Sequence, residues 1–126
     1  MRESFEREVL NYGHTLGHAV ERDSNYTLSH GEAVSIGMVF AAEVSHFASG
    51  LSRDVVELHY AILKSLNLPC SYKKDSWNNL VDLMGRDKKR RGQSIRFVSL
   101  TSVGKTDRVE VEAGRLKEIY EASVGR

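Results

Sequence analysis

SHGEAVSIGMVFAAEVSHFASG, residues Ser29 to Gly50, decides the fold. It opens with the Ser-x-x-Glu spacing of a capping box, in which Ser29 and Glu32 each satisfy a backbone N–H that the first helical turn leaves unpaired. It closes on Gly50, suited to the left-handed residue that ends a helix. Between these signals the apolar residues fall on nearly every side. A helix that is apolar all round lies inside a domain, and at this length it is a domain centre rather than a membrane span.

The flanking segments supply what surrounds that centre. From about Glu3 to Glu21, Phe5, Val9, Leu10, Leu16, Ala19 and Val20 recur at three- and four-residue spacing, which predicts a helix with one broad apolar face. Gly13 and Gly17 each weaken it by about 1 kcal/mol relative to Ala, and glycines four apart imply the close approach of another backbone or a ligand. Asp23 to Thr27 is polar and reads as a loop. Ser52 caps a third helix to about Leu66, with Val55, Val56, Leu58, Ile62, Leu63 and Leu66 as its stripe, and Asn67 and Pro69 stop it. Asp75 or Ser76 opens a shorter helix through Trp77, Leu80, Val81, Leu83 and Met84. Beyond the charged GRDKKRRG, SIRFVSL predicts a strand, Ser102 to Lys105 a turn and RVEV a second short strand. Leu116, Ile119 and Tyr120 mark a final helix. The class is mainly α with a small β element near the C-terminus.

With 126 residues, the chain is one domain in size. Its 40% apolar and 28% charged composition is that of a globular chain rather than a disordered one. A net charge of +1 gives no field that would recruit nucleic acid or a membrane, so neither is expected as a partner. The single cysteine, Cys70, excludes an internal disulfide and a cysteine zinc cluster. The charged start, MRESFEREVL, lacks the apolar segment of a secretory signal, and the expected location is the cytoplasm.

Two of the five histidines, His14 and His18, stand four residues apart and project from one helix face. Neutral imidazole is a common metal ligand, and His30, at the capped start of the buried helix, is a third candidate. An HxxxH pair alone is more often a hydrogen-bonded pair at a helix surface or packing seam. Asn11 beside them, the access offered by Gly13 and Gly17, and the position of His30 together favour a functional site. His46 and His59 lack such company and read as structural or exposed. The basic run Asp87 to Arg91 suits a solvated loop or a phosphate contact. No glycine-rich nucleotide motif occurs.

The motifs R-x-x-x-N-x-G-H-x-x-G-H-A (Arg7, Asn11, Gly13, His14, Gly17, His18, Ala19), L-x-H-G-E-A-V-x-x-G-M (Leu28 to Met38) and D-K-K (Asp87, Lys88, Lys89) run the length of the chain. Together they closely resemble the C-terminal domain of the 3-dehydroquinate synthase family, within the sugar phosphate cyclase superfamily. The resemblance implies the helical C-terminal domain of a dehydroquinate synthase-like fold. It also implies a metal- and NAD-dependent carbon–oxygen lyase that converts DAHP to 3-dehydroquinate, with loss of phosphate, in the shikimate pathway to chorismate and the aromatic amino acids. By the same resemblance, His14 and His30 match the family's histidine ligands to zinc (or cobalt), and His18 matches a group that contacts the phosphate region and handles protons. Arg7 and Asn11 match substrate-binding positions, Glu3 an active-site carboxylate, and Lys88 or Lys89 a lysine that binds the acidic substrate.

The family's third zinc ligand, a glutamate, and its NAD-binding domain lie upstream of every motif above. The expectation is therefore that residues 1–126 are a truncated C-terminal metal- and substrate-binding piece, with no cofactor-binding residue for NAD of its own. Alone, the chain is expected to be inactive and to bind zinc weakly unless a carboxylate such as Glu32 or Glu21 completes the ligands. Truncation should also uncover apolar surface on the helix from Ala33 to Ala48, and hence favour a homo-oligomer. The alternatives are another sugar phosphate cyclase, a metal-dependent glycerol or alcohol dehydrogenase, or a non-catalytic helical interaction module.

Overall fold

A computed structural model describes residues 12–84, 94–102 and 105–125. In order these form α1 (His14–Asp23), α2 (His30–Ser49), α3 (Arg53–Ser65), a 3-10 turn (Lys74–Ser76) leading into α4 (Trp77–Met84), strands β1 (Ser94–Ser102) and β2 (Lys105–Glu112), and α5 (Ala113–Ala122).

The capping box forms as the spacing predicts. Ser29 Oγ accepts the Glu32 N–H at 3.1 Å, and the Glu32 carboxylate accepts the Ser29 N–H at 2.8 Å. Gly50 ends α2 at φ 74°, a left-handed conformation that costs glycine nothing. Ala33, Ile36, Val39, Phe40, Ala41, Ala42 and Val44 are all buried, and α1, α3, α5 and both strands pack against α2. An aromatic trio, Phe40, Trp77 and Tyr120, ties α2 to α4 and α5, with ring centroids 4.9–6.1 Å apart. The Tyr120 hydroxyl donates to the Lys73 carbonyl at 2.6 Å, so its polar tip is also satisfied.

β1 and β2 pair antiparallel from Ser94↔Glu112 to Ser102↔Lys105, with an irregularity between Leu100 and Ser102. The second strand is longer than the RVEV core suggests. The hairpin lies against α2, where the Ser49 and Ser99 hydroxyls meet at 2.8 Å and Val111 is buried. This cover corrects the expected uncovering of α2. Of its large apolar residues only Phe47, near the C-terminal end, is substantially exposed, at 51%.

Two further expectations are corrected. The helix expected from about Glu3 is not continuous: a turn at Tyr12 and Gly13 precedes the helix from His14 to Asp23, and the part expected at residues 3–11 lies outside the described residues. Gly13 takes φ −105° and ψ 3° as the N-cap, a position glycine tolerates, and its own Cβ, were it present, would stand 2.5 Å from Met38 Cγ. On α3 the expected single stripe divides over two faces. Val56 and Leu63 are buried toward the core, whereas Leu58, Ile62 and Leu66 are 51%, 50% and 61% exposed. Counting apolar residues had merged two faces of one helix.

Candidate metal and substrate site

α1 and α2 cross with their backbones touching. A Cβ on Gly37 would collide with the Gly13 carbonyl oxygen and sit 2.8 Å from Gly17 N, and a Cβ on Gly17 would lie 3.2 Å from Val34 Cα. The two α1 glycines therefore serve the helix crossing rather than leaving room for a ligand, which corrects one of the two readings of their spacing. His14 is the first residue of α1, one helical turn before His18. The loop at Asp23–Ser29 then returns the chain so that the capping box sets His30 as the first residue of α2.

The crossing brings all three imidazoles together. Ring centroids are 4.8 Å apart for His14 and His18, 5.4 Å for His14 and His30, and 6.1 Å for His18 and His30. His14 is half-buried, and its fully buried Nδ1 has no hydrogen-bond partner among the described residues. An unsatisfied buried polar atom costs about 1–3 kcal/mol, so this nitrogen is a feature that folding alone does not explain. His18 and His30 are open to solvent. The His30 Nδ1–H donates to the Glu21 carboxylate at 3.1 Å, which leaves Nε2 as the nitrogen free for another partner. Partial burial holds the His18 imidazole below its ordinary range, and the neighbouring His14 and His30 add to the effect against the opposing charge of Glu21. The His18 imidazole is thereby biased toward its neutral form.

The buried Nδ1 of His14 and the free Nε2 of His30 fit two donors to a divalent ion. They do not make a complete set: among the described residues, no three His, Cys, Asp or Glu side chains are arranged to hold an ion by themselves. Glu32 accepts the Ser29 N–H through Oε1 and Glu21 accepts the His30 Nδ1–H through Oε1, so one oxygen of each is already engaged. Glu21 is the residue whose part the spacing left open. The signal was there, since His14, His18 and Glu21 share one face of α1.

Glu3, Arg7, Asn11, Lys88 and Lys89 lie outside the described residues. His46 and His59 have structural partners. His46 Nδ1 donates to the Leu51 carbonyl at 2.7 Å and His59 Nδ1 to the Val55 carbonyl at 2.8 Å. With Nδ1 so occupied, His59 Nε2 accepts the Tyr12 hydroxyl at 3.2 Å, which ties the entry of α1 to α3. Burial pushes the half-buried Cys70 thiol up, against a nucleophilic role. A groove of about 440 Å³ on the other side of α2 is lined by Glu43, His46, Arg53, Tyr60, Lys64 and Ile119 among others, and contains none of the three clustered histidines. Among the described residues no helix is long and apolar enough to cross a membrane.

Comparison with known proteins shows what the chain is similar to. The 3-dehydroquinate synthase of Paenarthrobacter aurescens (strain TC1) is 51% identical over 111 residues, covering 88% of this chain and 31% of its own length. That of Corynebacterium jeikeium (strain K411) is 47% identical over 126 residues, 99% of this chain and 34% of its own length. The chain thus spans about a third of the length of the curated relatives it matches. A crystal structure of 2-deoxy-scyllo-inosose synthase complexed with carbaglucose-6-phosphate, NAD+ and Co2+ superposes with a TM-score of 0.72 at 26% identity, covering 90% of this chain and 33% of that one. The family profile of the 3-dehydroquinate synthase C-terminal domain matches residues 1–90, which include all three clustered histidines, and the chain belongs to that family.

Proposed function

We propose that the chain is the metal- and substrate-binding C-terminal part of a cytoplasmic 3-dehydroquinate synthase, a lyase that converts DAHP to 3-dehydroquinate with loss of phosphate. The observation that carries this reading is the convergence of His14, His18 and His30 at a glycine-lined helix crossing, with a buried His14 nitrogen that has no other partner. In this reading His14 and His30 hold Zn2+ (or Co2+), with a carboxylate from the upstream part of the synthase as the third ligand. The bound ion supplies Lewis acidity to adjacent substrate oxygens, and NAD, held by that upstream part, supplies transient oxidation.

The residues of this chain bind and orient. His18, whose imidazole is held below its ordinary range by partial burial and then by His14 and His30, accepts or returns a proton near the leaving phosphate. Arg7, Asn11 and Lys88 or Lys89 hold the acidic substrate, with Glu3 as a further carboxylate. Identities near 50% to 3-dehydroquinate synthases, against 26% to the inosose synthase, favour DAHP over the substrate of another cyclase. The exposed Leu58, Ile62 and Leu66 on α3 are the surface on which we expect chains of the homo-oligomer to meet.

The reading is tested by phosphate release from DAHP with NAD+ and Zn2+ or Co2+. The chain alone is expected to be silent. Joined in frame to the upstream part of the P. aurescens synthase it should release phosphate, and His14→Ala or His30→Ala should reduce that release by at least about 100-fold, as befits loss of a metal ligand. A joined protein that folds, binds NAD+ and leaves DAHP untouched would overturn the assignment.

A further inference from the structure

We infer that Glu21 is a positioning residue for His30, holding that ring in the tautomer that carries its proton on Nδ1 and leaves Nε2 free as a donor. The inference rests on the metal reading above and adds to it a residue that acts through the ligand rather than as one. Its basis is the Glu21–His30 contact at 3.1 Å, made from two different helices across the loop at Asp23–Ser29. The two side chains are unequally anchored. Glu21 sits in the third turn of α1 with only 19% of its side chain exposed, whereas the His30 side chain is 58% exposed and starts a helix. The carboxylate is the fixed member and the imidazole the one being oriented.

An exposed imidazole otherwise samples both tautomers and several ring orientations, and a metal site built on it would spend binding energy ordering it. A carboxylate on the distal nitrogen removes that cost and raises the basicity of the donor nitrogen. The other nearby carboxylate, Glu32, holds the Ser29 N–H through Oε1 in the capping box, and the contact to the His30 ring is made by Glu21.

Two measurements on the full chain test this separately from the catalytic reading. In metal-free chain at pH 8, long-range proton–nitrogen NMR spectra should show His30 mainly protonated on Nδ1. Glu21→Ala should lose that preference, and Glu21→Gln, whose amide oxygen still accepts, should keep most of it. In Co2+ titrations against a competing chelator, Glu21→Ala should weaken binding by about 10- to 100-fold, the usual effect of removing such a partner. Glu21→Gln should lose less, and the cobalt absorption bands of all three proteins should match. A tautomer unmoved by Glu21→Ala overturns the inference. So do altered cobalt bands in both variants, which would make Glu21 a ligand. A wild-type chain that takes up no Co2+ even when joined in frame to the upstream part of the P. aurescens synthase, while its tautomer responds to Glu21→Ala, sinks the metal reading and supports the hold of Glu21 on the ring.

Discussion

The two sides of α2 treat polar groups in opposite ways. On the groove side, Arg53 binds both oxygens of Glu43 at 2.8 and 3.0 Å and reaches Glu57 at 3.0 Å, while the Tyr60 hydroxyl donates to Glu43 at 2.7 Å. Glu43 thus has both carboxylate oxygens occupied. On the α1 side, three imidazoles crowd together, and a buried nitrogen of His14 has no partner. A network built for stability closes on itself. One that leaves a buried donor or acceptor open, and gathers three imidazoles around it, points to something outside the chain. The groove is therefore the less informative of the two sides.

Four substitutions would break or sharpen that contrast. The largest effect is expected from Gly37→Ala, because the new methyl meets a backbone carbonyl that cannot rotate away. A loss of about 3 kcal/mol by urea denaturation, the upper end for overpacking, should accompany separation of the imidazoles. Gly31→Ala, at the exposed start of the same helix with nothing within 4 Å, should instead be neutral or stabilise by up to about 1 kcal/mol. Equal losses at the two glycines would show that helix propensity rather than close approach governs Gly37.

An intermediate effect is expected on the groove side. Burial alone would raise the Glu43 carboxyl, but the hydrogen bonds from Arg53 and Tyr60 outweigh it and hold the group below its ordinary value of 4.5. Folding therefore releases a proton, and the stabilisation is present above pH 4.5 and lost as pH falls below it toward the lowered folded value. Glu43→Gln should cost about 1–2 kcal/mol at pH 7, since half-exposed Arg53 is partly screened by solvent. It should also flatten the fall in stability below pH 4.5 in acid denaturation curves. An unchanged acid limb would remove Glu43 as its source.

The smallest effect has the opposite sign. His14→Phe removes the unpartnered buried nitrogen at similar volume, and should stabilise the metal-free chain by about 1 kcal/mol while abolishing Co2+ uptake. Destabilisation by that change would mean that His14 is held by packing and that its open nitrogen says nothing about a ligand.

The centre of the fold was legible because its signals are local. Ser29, Glu32 and Gly50 bracket α2, and apolar residues on every side of it need a surrounding domain wherever the chain goes next. The partner of the α1 glycines was not, because Gly37 lies on another helix and only the crossing shows which backbone fills the gap. On α3 the six apolar residues were counted correctly and assigned to one face wrongly. Leu58, Ile62 and Leu66 turn away from the side that buries Val56 and Leu63. In the site, the HxxxH spacing and the capped His30 were enough to suspect three imidazoles. Their convergence, and the bond that commits Glu21, depend on a turn through left-handed Asn25 and Tyr26 that no periodicity encodes.

Helices that meet through side chains keep their distance by rotamers, and a neighbouring substitution can ease them apart by a fraction of an ångström. The seam of Gly13, Gly17 and Gly37 has no rotamers. Its width is a sum of atomic radii, as fixed as a bond in practice. The span between the first residues of α1 and α2, where His14 and His30 stand, thus has a built-in gauge. The remaining core of α2 can drift in composition around that gauge without changing the aperture between the two rings.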